Sequence, residues 1–245
     1  MAMSSKDPID IWRRAEQGTV GRKPEHSRAS IVRAAVEIAD DQGIEAVSIR
    51  KVAAAIGAGA ASLYRYVKSH DELIELMLDE ISGEYVLDPA NSAEGEAPHR
   101  ALLALARQGR RIMTRHPWSA PLFLSQPPMG PNSLAYLDFA LSILQETRLD
   151  SSAKLRTVAM LTAVTSAFVQ NELPLHSGSE YSPVDASARV AYLAQVLPTG
   201  AYPALATVMG EELAPVDLDV EFEQIIGTYL SGAGLGGSPE QAPAH

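Results

Sequence analysis

Residues 47–68, VSIRKVAAAIGAGAASLYRYVK, decide the fold of this chain. Ile49, Val52, Ala53 and Ile56 recur at helical intervals behind Ser48, whose hydroxyl suits the start of a helix. Gly57 follows where a helix end needs a left-handed residue, a conformation that penalises a β-carbon. Beyond that turn, Leu63 and Val67 make one apolar stripe and leave Ser62, Arg65 and Lys68 facing outward. Ala53 is small at the place where two steeply crossing helices would touch. A helix-turn-helix has this anatomy, and its second helix is the one that enters a DNA major groove. A helical hairpin used as plain scaffolding would show the same bare pattern.

The flanking sequence favours the DNA-reading form. Ser69-His70-Asp71-Glu72 fits a capping box, in which Ser69 and Glu72 satisfy each other's backbone donors. It opens an amphipathic helix with Leu73, Ile74, Met77, Leu78, Ile81 and Tyr85 on its buried side. Upstream, residues 27–41 fit a further helix, with Ile31, Ala34, Ala35 and Ile38 inward and Gly43 ending it. Three helices and a connector therefore form a compact head over residues 27–85.

The run over residues 31–39, Gly43, residues 48–52, Gly57 and Leu63-Tyr64-Arg65-Tyr66-Val67 resembles the N-terminal domain of the tetracycline-repressor (TetR) family. The Leu-Tyr-x-Tyr run ahead of a Ser-x-Asp-Glu-Leu cap is the most specific part, and the likeness covers about residues 27–85. Beyond them the chain resembles the family in helical content and order. The resemblance implies an all-α fold, with an N-terminal helix-turn-helix head, a connector helix and a C-terminal helical domain for effector binding and dimerisation. It also implies that the connector tilts when ligand binds and changes the distance between two heads.

Charge is divided along the chain in a way that suits this reading. The net charge is −10, yet the first 70 residues carry 11 Lys and Arg against 8 Asp and Glu, and the rest carry 9 against 22. A basic head on an acidic body is attracted to a polyanion at one end only. The length of 245 residues is enough for two domains, and the absence of cysteine excludes a disulfide framework and a thiolate metal site. No run is long and apolar enough to span a bilayer, and the polar start MAMSSKDPIDIWRRAEQ lacks the apolar core of a signal peptide. A cytoplasmic regulator with no membrane partner is expected.

Residues 1–26 are expected to form a basic, flexible arm, with clusters Trp12-Arg13-Arg14 and Gly21-Arg22-Lys23. Such an arm meets phosphates or a minor groove, or it is a solubilising tail. Trp12 is expected to dock somewhere.

From residue 98 to 230 the pattern is helix after helix. Helices are expected over 98–115, 118–124, 132–147, 151–172, around Ala188, Tyr192 and Val196, over 202–209 and over 218–230, with a disordered Gly/Pro/Ala-rich tail over 231–245. The segment 151–172 is apolar nearly all round from Val158 to Val169, so it needs cover on every side. The last helix carries Phe222, Ile225, Ile226, Tyr229 and Leu230 on one stripe. The resemblance implies that these two helices form a four-helix bundle with their copies in a homodimer. Two heads on a two-fold axis would read a palindrome.

Met113, Trp118, Phe123, Met129, Phe139, Thr162, Phe168 and Gln170 are the candidates for an apolar effector pocket with a few polar anchors. Each is equally at home in ordinary core. In the family's namesake the drug is held with magnesium through histidine. Here the corresponding stretches, Tyr85-Val86 and Leu122-Phe123-Leu124, carry no histidine, so tetracycline itself is not the expected effector.

Catalysis is not expected. His26, His70, His99, His116, His176 and His245 include no pair at the spacing that seats zinc on a helix. The stretch Gly57-Ala58-Gly59-Ala60-Ala61-Ser62 lacks the third glycine of a dinucleotide loop, and no Gly-x-Ser-x-Gly elbow occurs. No cofactor or metal site is expected. The expected function is a ligand-responsive DNA-binding regulator, a repressor released from a palindromic operator by a small apolar effector. The alternative is a constitutive architectural DNA binder without an effector.

Within the head, Ala60, Ala61 and Ser62 open the recognition helix and let its backbone approach the groove. Arg65 is the expected base-edge contact and Lys68 a phosphate anchor, while Arg50 is placed to reach the backbone from the preceding helix. Tyr64 and Tyr66 match family positions that meet phosphates, or they pack in the core of the head. His70 stands where the family most often has lysine, so the phosphate contact of that lysine is not carried over to it.

Overall fold

The computed structural model describes residues 8–14, 26–88, 97–176, 183–211 and 216–235, without the side chains of 174–187 and 189. Among the described residues every regular element is helical. After a single turn α1 (Asp10–Arg13), the head comprises α2 (Arg28–Gln42), α3 (Ile49–Ala55), α4 (Ala60–Leu63) and the connector α5 (His70–Ser82).

Local chemistry sets the ends of these helices. The Ser27 hydroxyl accepts from Ser30 N–H at 3.1 Å and the Ser30 hydroxyl accepts from Ser27 N–H at 3.0 Å, a reciprocal cap on α2. The Ser48 hydroxyl caps α3 by accepting from Lys51 N–H at 3.2 Å. At the other end Gly57 takes φ +70°, with Ala58 N–H donating to Ala53 O at 2.8 Å and Gly57 N–H to Ala54 O at 3.2 Å. This pair of bonds is the Schellman motif, and it fixes the angle between α3 and α4. Val52, Ala53, Leu63 and Val67 are buried at the crossing.

The body follows as α6 (Pro98–Arg115), α7 (Ser119–Ser125), α8 (Pro131–Ile143), α9 (Ser151–His176), α10 (Pro183–Val196), α11 (Pro203–Met209) and α12 (Leu218–Leu230). The long α9 is its axis, with α6, α7, α8 and α12 packed against it. Leu102, Leu105, Leu144, Leu161, Phe222 and Ile226 form the core between them. No helix among the described residues is long and apolar enough to cross a membrane.

Four details differ from the sequence reading. α8 ends at Ile143 instead of 147, because Leu144, Gln145 and Thr147 fall into tighter turns and the Ser142 and Thr147 hydroxyls bond back to carbonyls. α9 runs to His176, past the expected 172. Residues 231–235 of the expected disordered tail are structured, and Leu235 is buried in the body core; residues 236–245 lie outside the described residues. The connector is not one-sided either, since every residue from 72 to 79 is buried, including Glu72, Glu75 and Asp79.

Candidate nucleic-acid interface and ligand cavity

The hairpin presents its polar side chains outward. Arg50, Ala61, Arg65 and Lys68 are exposed, and Tyr64 is 52% exposed. Ala60 and Ser62 are half-buried at the start of α4, where the Ser62 hydroxyl donates to Gly59 O at 2.6 Å. The recognition segment is a short α-turn over Ala60–Leu63 that continues as turns through Tyr66, with Tyr66 N–H donating to Leu63 O and Val67 N–H to Leu63 O. Tyr66 is half-buried against the core of the head, whereas Tyr64 projects from it. Arg50, Tyr64, Arg65 and Lys68 thus form the exposed polar edge, with small residues between them.

The cap of α5 departs from a capping box. Ser69 accepts from Glu72 N–H at 3.1 Å, but the Glu72 carboxylate takes the N–H of Lys68 at 2.7 Å, one residue earlier than expected. Its second partner is Arg14, at 2.5 Å. Residues 8–14 of the expected flexible arm are therefore docked. Ile11 is fully buried, Trp12 Nε1–H donates to Glu75 at 2.7 Å, and Arg13 pairs with Asp10. The cluster Gly21-Arg22-Lys23 lies outside the described residues.

Two seams join the head and connector to the body. In the first, Asp79 of α5 accepts from Ser133 N–H and Ser133 Oγ–H, both at 2.9 Å, while Glu75 accepts from Met129 N–H at 2.8 Å. These carboxylates satisfy backbone donors at the start of α8 and in the loop before it. In the second, Asp40 of α2 accepts from Trp118 Nε1–H at 2.7 Å and lies 2.7 Å from His116 Nδ1. The other His116 nitrogen is 3.0 Å from Glu84, which also pairs with Arg115.

Behind the first seam lies a cavity of about 520 Å³ between α6, α7, α8 and α9, with the end of α5 in its wall. Four of the eight expected pocket residues line it: Met113, Phe123, Met129 and Thr162. The others lie elsewhere. Trp118 is buried in the second seam, and Phe139 packs in the body core. Phe168 stacks edge-on against Phe222, with the Arg110 guanidinium over both rings at 5.1 and 5.0 Å. Gln170 donates to Ser166.

Tyr85, Tyr136, Leu137, Val158 and Met160 complete much of the cavity wall. The rings of Tyr85 and Tyr136 stand 4.5 Å apart, and the Tyr136 hydroxyl lies 3.5 Å from Thr162 Oγ1. Burial pushes both phenols above their ordinary range, Tyr85 well above, so both are neutral hydrogen-bonding groups. Tyr85 fits because Gly109 faces it: a β-carbon there would lie 2.6 Å from the tyrosine oxygen. Sequence reasoning placed Tyr85 on the connector's apolar side but gave no sign that this side faces a void. Among the described residues none that lines the cavity is charged, and no cluster of three potential metal ligands occurs.

A helix-turn-helix head seamed to a helical body around an apolar cavity defines the class of ligand-responsive DNA-binding transcription regulators. The chain matches the tetracyclin repressor-like C-terminal domain over residues 91–233 and the bacterial regulatory proteins, tetR family, over residues 31–77. It belongs to the TetR family. It is 32% identical to the HTH-type transcriptional repressor DrrR1 of Streptomyces coeruleorubidus, over 84% of this chain and 77% of that one. An HTH-type transcriptional regulator of Saccharopolyspora erythraea is 36% identical over 56% of each chain. Among solved structures, the TetR family protein ActR of Streptomyces coelicolor, in complex with actinorhodin, superposes with a TM-score of 0.72 at 25% identity. That match covers 86% of this chain and 99% of ActR.

Proposed function

We propose that this protein is a homodimeric repressor that binds a palindromic operator and leaves it when a small, neutral, apolar effector fills the cavity. The observation that carries this reading is the position of α5. It follows the recognition segment directly, and its last residue, Ser82, lines the cavity with Tyr85, which lies in the turn beyond Ser82 where the sequence pattern placed it still in the helix. A ligand that displaces Tyr85 therefore acts on the element that aims the head.

Arg65 is assigned to a base edge, Lys68, Arg50 and Tyr64 to phosphates, and Ala60, Ala61 and Ser62 to the close approach of the recognition segment. Tyr66, half-buried, supports the segment from behind. The dimer face is assigned to α9 and α12. α12 carries exposed Val220 and Ile225, and Val164, Phe168, Leu218 and Ile225 line an open groove between the two helices. Arg110, paired with Glu172 and Asp219 at 2.6 and 2.7 Å, braces these two helices against α6. DrrR1, a repressor, and ActR, which is in complex with actinorhodin, support the reading of a ligand-responsive repressor. The alternative of an architectural protein without an effector has no use for a cavity of this size beside the connector.

A thermal-shift screen of flat, neutral aromatic compounds tests the switch. Each hit is then titrated with and without the operator duplex. Linkage requires that operator weaken the effector by the same factor by which the effector weakens operator, typically 1–3 kcal/mol. A tight ligand whose affinity ignores DNA would refute the switch.

A further inference from the structure

The docked segment at residues 8–14 has partners that the DNA-reading function leaves unexplained. Ile11 is fully buried, so the segment is anchored and its side chains are held in register. Trp12 Nε1–H and Met129 N–H donate to the same oxygen, Oε1 of Glu75, at 2.7 and 2.8 Å. Met129 lines the cavity. One turn earlier on α5, Arg14 and Lys68 N–H share Oε2 of Glu72, at 2.5 and 2.7 Å. Lys68 is the last residue of the recognition hairpin. Gly130 closes the arrangement, since a β-carbon there would overlap both Trp12 and Asp79.

Two carboxylates on one helix are thus each shared between the docked segment and a backbone N–H, one in the cavity wall and one at the end of the hairpin. Both are nearly inaccessible, Glu72 at 1% and Glu75 at 5% exposure, where an unmet hydrogen bond is costly. Loss of one partner therefore alters the strength and position of the bond to the other.

We propose that residues 8–14 are a built-in clip, with Trp12 and Arg14 as positioning residues, that makes the cavity wall at Met129 and the end of the recognition hairpin at Lys68 move as one unit. In this arrangement the segment carries the state of the cavity toward the DNA-reading edge without touching either ligand. The coupling stands or falls whatever compound fills the cavity, so its failure is separate from failure of the proposed effector site.

Residue-resolved amide hydrogen exchange on the full chain tests it, with Met129 and Lys68 as reporters and Val52 and Leu105 as references. Trp12→Phe removes the indole N–H beside Glu75 together with the ring edge that packs at Gly130. The Met129 N–H bond to Glu75 itself survives, so exchange at Met129 is expected to speed up by about tenfold at most as the carboxylate loses its second donor, and exchange at Lys68 to speed up as well. Arg14→Ala is expected to do the reverse, acting first at Lys68 and also at Met129. Glu75→Gln, whose amide oxygen still accepts, is expected to keep much of the protection that Glu75→Ala loses. If each substitution moves only the amide beside it, or moves the references equally, the clip is refuted.

Discussion

Removing the Asp79 carboxylate is expected to cost more stability than any ordinary surface change, and the structure gives the size. Asp79 is 3% exposed and accepts from Ser133 N–H and Oγ–H at 2.9 Å and from Asn132 N–H at 3.4 Å. In Asp79→Ala the buried Ser133 N–H is left without an acceptor and the half-buried Asn132 N–H loses a long one, while the Ser133 hydroxyl can still turn to Ser82 Oγ at 3.2 Å. The stranded Ser133 donor costs about 1–3 kcal/mol, and the lost charge at a helix N-terminus adds about 0.3–1 kcal/mol. The expected loss is about 2–4 kcal/mol, a large part of the roughly 5–15 kcal/mol that holds a typical domain. Asp79→Asn keeps an acceptor and loses the charge, so about 1–2 kcal/mol is expected. Urea denaturation at fixed protomer concentration measures both, since assembly would otherwise shift the midpoint. If Asp79→Ala costs under about 1 kcal/mol, or if the two variants cost the same, the carboxylate does not hold α8 to the connector.

Three further outcomes follow from the site. Arg65→Ala should cost about 1–3 kcal/mol and relax preference at one base position, whereas Lys68→Ala should weaken all sequences alike and flatten the salt slope by about one unit. Identical specificity profiles for the two variants would remove the distinction. Gly109→Ala should push Tyr85 out of its seat and into the cavity, lowering affinity for any ligand found there by about tenfold or more, at a stability cost of about 1–3 kcal/mol. Calorimetric titration beside denaturation checks that pair of effects. Because burial raises the folded-state pKa of Tyr85 and Tyr136, the unfolded chain ionises first, near its ordinary pH of about 10. Their stabilising contribution is therefore complete below that pH and is lost as pH climbs through the raised values. Urea midpoints across the alkaline range should fall less steeply in Tyr136→Phe.

The head was legible because its signals are local. Ser48, Gly57 and the spacing of Val52, Ala53 and Leu63 each have a short-range cause, and the caps and the φ of +70° realise them in place. The cavity was legible only in part. An apolar residue on a helix is known to face inward, but whether it meets a void or a neighbour depends on which helix lies opposite. Met113 and Phe123 meet the void, while Phe168 meets Phe222 and Trp118 meets Asp40. The buried carboxylates were the least legible feature. Glu72 could be placed as a cap, but Glu75 and Asp79 look like a solvated face until the docked N-terminal segment and the start of α8 supply their donors. Those partners are 54 to 63 residues away in sequence, beyond the reach of any periodic pattern.

Selection of duplexes from a random library by the purified full chain, followed by titration of the enriched sequence across salt concentrations, tests the central claim most directly. The enriched sequence should be an inverted repeat with half-site centres roughly 34–36 Å apart, or a multiple of that spacing, bound by two protomers related by a two-fold axis. Affinity should fall steeply and log-linearly with salt, and Arg65→Ala should lose the enrichment at one position in each half-site. A chain that enriches no sequence, or that binds one copy at a time without symmetry, would contradict the assignment of this protein as a dimeric operator-binding repressor.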